Sequence, residues 1–302
     1  MVERDQEVTQ PPRRARRPPR SVIYRRRLVA LGVVAAGFLA AWFVVGKLRG
    51  GGDEQATTAP VAPPRPFRVV FPEGFTREQM AARVAAVARI AEGERGKRPK
   101  LAAAQYLAAT RRPRRELGFG SRRFPLEGFL FPATYQFTAR TSSAQLVAAQ
   151  LEAFRHNWGK VGLGYARSKN LTPYDVLTIA SMVEKEARAP EERPLVSAVI
   201  YNRLHRHMAL QIDSTLRYGL HIPPTESIRQ SELNSQNAYN TRHLLGLPPT
   251  PIANPGLASI EAAAHPAHVD YLFFVRKPDH VHHFFTASFA AFDRYKAQHG
   301  YP

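Results

Sequence analysis

The first strong pattern along the chain is a run of nineteen residues without a charged side chain, Leu28–Gly46. A helix of that length spans about 28 Å, close to the hydrocarbon core of a bilayer at about 30 Å. A cleaved signal peptide has a shorter apolar core and a small-residue cleavage site, whereas Lys47 and Arg49 follow this run. We predict one membrane-spanning helix, with a cleaved signal or a buried core helix as the alternatives.

Beyond this run, hydrophobic periodicity predicts an α+β protein. Alternation over Phe67–Phe71 predicts a strand, and apolar Met80, Val84 and Val87 predict one face of a helix that begins near Thr76. Similar patterns predict helices over 101–110, 143–158, 172–189, 192–206 and 288–298, and a strand over 271–276.

Composition divides the chain into five predicted parts. They are a basic tail at 1–27 with nine Arg, the membrane helix at 28–46, a Gly/Pro-rich linker at 47–66, a small α+β subdomain at 67–123, and a mainly helical domain with some strands at 124–302.

The charge and cysteine content narrow the function. The formal net charge is +19, and the chain has no Cys, so a Cys nucleophile, a Cys zinc site and a redox pair are excluded. Arg residues abutting the apolar run favour a cytoplasmic N-terminus, with the rest of the chain outside the cytoplasmic membrane. This orientation explains the basic tail with fewer assumptions than a nucleic-acid arm, so no nucleic-acid partner is predicted.

The predicted helix over 172–189 carries a candidate catalytic acid. Its apolar stripe, Val176, Ile179 and Val183, advances by three and four residues, and the next member is Glu186. A carboxyl that continues a buried stripe loses solvent, which raises its pKa above about 4.3. The negative end of the helix dipole acts in the same direction. Glu186 therefore has the properties of a general acid.

Glu184 is the second choice for this acid. Residues two apart on a helix lie about 200° from each other, so only one of the two carboxylates faces a given cleft. Glu184 is either the acid itself or a residue that positions it. The spacing also fits two ordinary helix-end charges paired with Lys185 or Arg188.

Polar residues farther along predict a binding groove. An extended segment over 211–215 would point Gln211, Asp213 and Thr215 to one side, and Tyr239 and Asn240 open an irregular stretch. Amides, hydroxyls and aromatic rings beside one protonated acid are typical of a carbohydrate groove. We predict that these five residues bind substrate.

The order of motifs in the chain resembles the YceG-like (MltG) family of membrane-anchored endolytic murein transglycosylases over roughly 67–298. The motifs are LEGFLFPATY (Leu126–Tyr135), VEKEA (Val183–Ala187), VIYNRL (Val199–Leu204), LQIDSTLRYGL (Leu210–Leu220), AYNT (Ala238–Thr241), GLPPTPIANPG (Gly246–Gly256), YLFFV (Tyr271–Val275) and HHFF (His282–Phe285).

The resemblance implies a LysM-like small subdomain and a lysozyme-like catalytic domain. Of the two related segments that family members usually carry ahead of the catalytic part, only Val69–Val84 has a counterpart here. An Ala also stands at position 133, where the family more often has Asp. In the family, the second Glu of the VEKEA pair matches the catalytic acid, which favours Glu186.

The resemblance further implies non-hydrolytic cleavage of the bond between N-acetylmuramic acid (MurNAc) and N-acetylglucosamine (GlcNAc), which leaves 1,6-anhydro ends and terminates glycan elongation. The expected partners are glycan strands, the bilayer at Leu28–Gly46 and cell-wall synthases. Two alternatives stay open: a muramidase-type hydrolase that uses Glu186 and Asp213, and a non-catalytic peptidoglycan-binding scaffold.

No cofactor or metal is expected. His280, His282 and His283 suggest a metal site, but HHFF matches the ordinary ending of the family, and the carboxylate spacing of a zinc helix is missing from the sequence.

Overall fold

The structure is a computed structural model that describes residues 66–96 and 98–301 and is mainly helical with two small sheets. Its helices are α1 (Arg77–Arg95), α2 (Ala103–Arg111), α3 (Ser143–Trp158), α4 (Gly164–Ser168), α5 (Pro173–Glu186), α6 (Arg193–His205), α7 (Asp213–Leu220), α8 (Gln230–Leu233), α9 (Leu257–Ala264) and α10 (Phe289–Gln298). Its strands are β1 (Phe67–Val70), β2 (Thr134–Phe137), β3 (Phe273–Arg276) and β4 (His283–Thr286), and a 3₁₀ turn spans Pro190–Glu192.

Local capping fixes where the long helices begin. Thr76, Ser142 and Thr172 are the N-caps of α1, α3 and α5, and each forms a capping box with the side chain three residues later. These reciprocal bonds satisfy backbone N–H groups that have no partner inside the helix. The sequence therefore determines the starts of these helices locally.

The two sheets are antiparallel pairs of short strands. Strand β1 pairs with β2, with Phe67 opposite Phe137, and β3 pairs with β4, with Arg276 opposite His283. Strand β2 lies beyond residue 124, so strands from both sides of the expected subdomain boundary share one sheet.

Helix α5 runs through the core. Its residues from Val176 to Val183 are all buried, and it packs against α6 and α9. At its first turn, Tyr174 stacks on Phe124 with ring centroids 4.1 Å apart. This buried stretch holds the helix in place up to Val183, and the candidate acid follows three residues later.

Several sequence predictions can be compared with these elements. The helix predicted over 143–158 is confirmed, and the one predicted over 172–189 ends earlier, at Glu186. The extended segment predicted over 211–215 is wrong, because α7 begins at Asp213 after Gln211 takes a left-handed φ of 54°.

The predicted membrane helix Leu28–Gly46 lies outside the described residues. Within 66–96 and 98–301, none of the helices has the length and apolar character needed to cross a bilayer.

Candidate active site

Glu186 is the last residue of α5. The stripe that leads to it is buried as predicted, since Val176, Ile179 and Val183 are inaccessible to solvent. The Glu186 side chain keeps some exposure, yet its carboxyl is surrounded by protein, and this burial raises its pKa. The predicted direction of the pKa shift is confirmed. A carboxyl of this kind holds its proton to higher pH than an exposed one.

Residues from α7, β3 and β4 act on the Glu186 carboxyl. The charge of Asp213 raises its pKa further, whereas His283 and Arg276 lower it. The Ser214 hydroxyl also lowers the pKa by hydrogen bonding, although its buried Oγ does not reach the geometry of a full hydrogen bond with any described residue. The acid therefore lies among groups of both charges.

His283 is held by a buried carboxylate. Glu192 accepts a hydrogen bond from the His283 backbone N at 2.8 Å, and its other oxygen lies 2.7 Å from Nδ1. The contact between Nδ1 and Oε2 is a hydrogen bond whose donor depends on the imidazole tautomer. The pair therefore fixes the orientation of the imidazole in the β4 strand beside Glu186.

Glu184 faces a different part of the molecule. Its carboxylate accepts a hydrogen bond from the Gly256 backbone N at 3.0 Å, at the start of α9. The neighbouring carboxyl of Glu73 packs so closely on Gly256 that a Cβ there would overlap it. Burial and the charge of Glu184 raise the pKa of Glu73, which Arg193 opposes. Glu184 thus supports the end of α5 by binding α9.

The five predicted groove residues have different environments. Asp213 lies beside Glu186 and binds Arg242, with N–O distances of 2.9 and 2.6 Å. Gln211 is exposed, and its side-chain oxygen accepts from Arg203 at 3.3 Å. Of these five residues, Asp213 is the one whose charge acts on the acid.

The other three groove residues hydrogen-bond within the protein. Thr215 donates to the Ile212 carbonyl at 2.7 Å and is buried. Asn240 is buried and donates to the carbonyls of Leu233 and Ser235. Tyr239 stays partly exposed, with its hydroxyl 2.8 Å from that of Thr250. Thr215 and Asn240 therefore support loops.

Another buried carboxyl, that of Glu127, joins three segments of the chain. It accepts hydrogen bonds from the Arg77 backbone N, from Asn254 Nδ2 at 2.7 Å and from the Tyr218 hydroxyl at 3.0 Å. Burial raises the pKa of Glu127 to about 7, and the Arg77 charge opposes this rise. Asn254 lies two residues before Gly256, so this network connects to the backbone group that binds Glu184.

Sequence reasoning missed several groups that surround the acid. Ser214 lies inside the quoted LQIDSTLRYGL motif and His283 inside HHFF, but the sequence assigns neither of them a role beside the acid. Glu127 had a readable signal, because a single carboxyl in the apolar run Leu126–Phe131 predicts a buried acid. Within the described ranges, no three His, Asp or Glu side chains converge as a metal site would require.

The fold is mixed α+β, and the site has a desolvated carboxyl, Glu186, at the end of a helix. Both features agree with the family that the order of motifs indicated. The profile of the YceG-like family matches residues 44–298. The chain belongs to the YceG-like family.

Known proteins and structures agree with this placement. The endolytic murein transglycosylase of Bacillus subtilis (strain 168) is 36% identical over 155 residues, covering 51% of this chain and 42% of that protein. Its namesake in Streptococcus pneumoniae (strain ATCC BAA-255 / R6) is 39% identical over 160 residues, covering 51% and 28%. The match therefore spans less than half the length of these relatives.

A crystal structure of a yceG-like protein from Listeria monocytogenes has the same fold. Its TM-score to this chain is 0.62 at 29% sequence identity, and the match covers 76% of each chain.

Proposed function

We propose that this protein is an endolytic peptidoglycan lytic transglycosylase that uses Glu186 as its one catalytic carboxyl. The observation that carries the proposal is the buried position of Glu186 at the end of α5, where burial raises its pKa. The names of the relatives support the substrate class.

The proposed reaction needs one carboxyl and no water. Glu186, protonated, donates its proton to the glycosidic oxygen as the bond from that oxygen to the MurNAc anomeric carbon breaks. The carboxylate then takes the proton of the MurNAc 6-hydroxyl, whose oxygen bonds to the anomeric carbon and closes the 1,6-anhydro ring. Positioned proton transfer of this kind contributes about 10²–10⁴-fold to the rate.

The surroundings of Glu186 suit both halves of this cycle. Burial and the charge of Asp213 favour the protonated acid that starts the reaction, whereas Arg276 and His283 favour the carboxylate that follows. These opposing influences keep both forms accessible, which a group acting first as acid and then as base requires.

A muramidase-type hydrolase is the second candidate, because Asp213 lies beside Glu186 and could serve as its second carboxylate. Arg242 holds one oxygen of Asp213 through two hydrogen bonds, which favours a fixed charge over a base that moves to activate water.

Product analysis distinguishes the candidates. The full chain is incubated with purified glycan strands, and the products are weighed by mass spectrometry. Anhydro ends support the transglycosylase, reducing ends support the hydrolase, and unchanged strands leave a non-catalytic scaffold.

We place the enzyme in the cytoplasmic membrane as a single-pass protein anchored by Leu28–Gly46, with its catalytic part outside and cell-wall synthases as partners. Protease added to spheroplasts should remove the C-terminal part and spare the Arg-rich tail. Digestion in the opposite sense would overturn this topology.

A role as terminator of glycan elongation predicts longer strands in cells that lack the activity, and unchanged strand lengths would contradict that role.

A further inference from the structure

A cavity of about 790 Å³ lies at the end of α5 opposite to Glu186. Tyr174, Asp175 and Thr178 of α5 line it, together with residues of α4, α6 and the loop Leu247–Pro249. We call it the distal cavity. Glu186 does not line it, so the distal cavity is a separate site from the one described above.

Basic side chains dominate the charge of the distal cavity. Arg122, Lys169, His205 and His207 line it, and no hydrogen bond or ion pair links their side chains to another residue of 66–96 or 98–301. Asp175 is the one carboxylate in the lining, and its Oδ2 binds the backbone N and the hydroxyl of Thr172 at 2.7 Å each. Arg122 and Lys169 therefore give the cavity two cations against the one carboxylate of Asp175.

Both cations lie against aromatic rings. The guanidinium of Arg122 lies 5.5 Å from the centroid of Phe124, and the ammonium of Lys169 lies 5.6 Å from that of Tyr165. Such contacts orient a cation and leave its hydrogen-bond donors free for a ligand.

Tyrosines form the rest of the wall and extend it. Tyr165, Tyr174 and Tyr201 line the distal cavity, and a neighbouring cavity of about 600 Å³ shares Tyr165, Tyr201 and Asn202 with it. The two cavities therefore lie next to each other beside α6. Tyrosine rings offer apolar faces for the uncharged parts of a ligand that also carries carboxylates.

The distal cavity and the acid lie at opposite ends of α5, and the residues between them, Val176 to Val183, are buried. Asp175 and Glu186 are eleven residues apart, which is about 17 Å along the helix. A strand of several sugars is longer than this separation, so one strand is long enough to reach both ends of α5.

We propose that the distal cavity binds a carboxylate-bearing stem peptide of the same murein strand that is cut at Glu186. This assignment rests on the proposed function. A neutral sugar would not use the charges of Arg122 and Lys169, whereas peptide carboxylates match them and the tyrosines contact the remaining atoms. The bound peptide holds the strand at a fixed distance from the acid.

The test is equilibrium binding of a soluble GlcNAc–MurNAc unit with its stem peptide to the full chain. This ligand lacks the MurNAc–GlcNAc bond, so it is not consumed. The double variant Arg122→Glu, Lys169→Glu reverses two cavity charges. Arg167→Glu is the control, because Arg167 is exposed two residues before Lys169 but does not line the cavity.

We expect the double variant to bind about tenfold more weakly, from two partly exposed ion pairs, and the control to bind as the wild type does. A ligand with amidated peptide carboxyls should bind the wild type and the double variant equally weakly. Unchanged binding by the double variant, or an equal loss in the control, would overturn the assignment. Displacement by inorganic phosphate at the same concentration as the peptide would assign the cavity to phosphate instead.

The reaction at Glu186 and the peptide site in the distal cavity can be refuted independently. If the ligand binds as expected but glycan strands are not cleaved, the reaction at Glu186 is wrong and the peptide site remains. If strands are cleaved, and the double variant binds and cleaves peptide-bearing strands as the wild type does, only the distal assignment is wrong.

Discussion

The buried carboxyl of Glu127 should make the stability of this protein depend on pH. Its side chain is about 1% exposed, and burial raises its pKa from 4.5 to about 7. The protonated form is therefore more favourable in the folded protein than in the unfolded chain. The stability that this group contributes is fully present below pH 4.5 and is lost as the pH rises through about 7.

The size of the effect follows from the pKa difference. At about 1.4 kcal/mol per pKa unit, a rise from 4.5 to about 7 corresponds to about 3 kcal/mol of unfolding free energy. That is a large share of the about 5–15 kcal/mol that stabilises a typical domain.

The variant Glu127→Gln removes the ionisation while nearly keeping the shape of the side chain. Its amide group faces the donors Asn254 and Arg77, so the variant should be less stable than the wild type at low pH. That deficit should shrink by about 3 kcal/mol between pH 4.5 and pH 8, because only the wild type has to ionise the buried group.

Urea unfolding of both proteins across this pH range measures the difference directly. Groups that titrate in both proteins, Glu186 included, cancel in the comparison. A difference in unfolding free energy that stays constant with pH, or that grows as pH rises, would refute the account of Glu127.

Two further predictions concern the backbone near Glu127 and the charge beside the acid. Gly128 has φ of 89°, and a Cβ there would lie 2.7 Å from Pro251, so Gly128→Ala should destabilise the fold by about 2–4 kcal/mol in urea unfolding. Gly164→Ala, in the open first turn of α4, should be neutral or stabilising, and equal losses in both variants would contradict this reasoning. Asp213→Asn removes a charge that raises the pKa of Glu186. Glu186 should therefore lose its proton, and the enzyme its activity, at a lower pH than in the wild type. An unshifted pH–rate profile would contradict the assignment of Glu186 as the acid. Complete loss of turnover would favour the hydrolase, in which Asp213 takes part in the reaction.

Helix starts could be predicted from the sequence because their signals are local. The capping residues Ser142 and Gln145 are three positions apart, and the apolar spacing of α3 begins directly after them. The same reasoning located α5 and the stripe that points to Glu186. The end of α5 was less predictable, because the extended backbone of Ala187 depends on neighbouring segments.

The segment after Gln211 shows why short patterns mislead. Five residues with alternating polarity fit an extended segment, but they also fit the first turn of a helix in which Thr215 is buried and Asp213 exposed. Polarity alone also placed Asn240 in the groove, although its amide is used to hold backbone carbonyls. Which polar residues face a ligand depends on partners that the local sequence does not name.

The other contacts of the site join residues that are far apart in the sequence. His283 meets Glu192 across 91 positions, and Gly256 meets Glu184 across 72. Local spacing has no signal for either pairing, so the roles of Glu192 and Glu184 follow only from the folded structure. The choice between Glu184 and Glu186 illustrates this, because the hydrogen bond to Gly256 gives Glu184 a structural task.

The most direct test of the central claim is the mass of the products that Glu186→Gln and Glu184→Gln release from purified glycan strands. An amide cannot supply a proton, so Glu186→Gln should remain folded and bind strands while forming no anhydro ends. Glu184→Gln loses only a charged contact to Gly256 and should still form anhydro ends at a reduced rate. Anhydro products from Glu186→Gln, together with none from Glu184→Gln, would contradict the assignment and make Glu184 the acid.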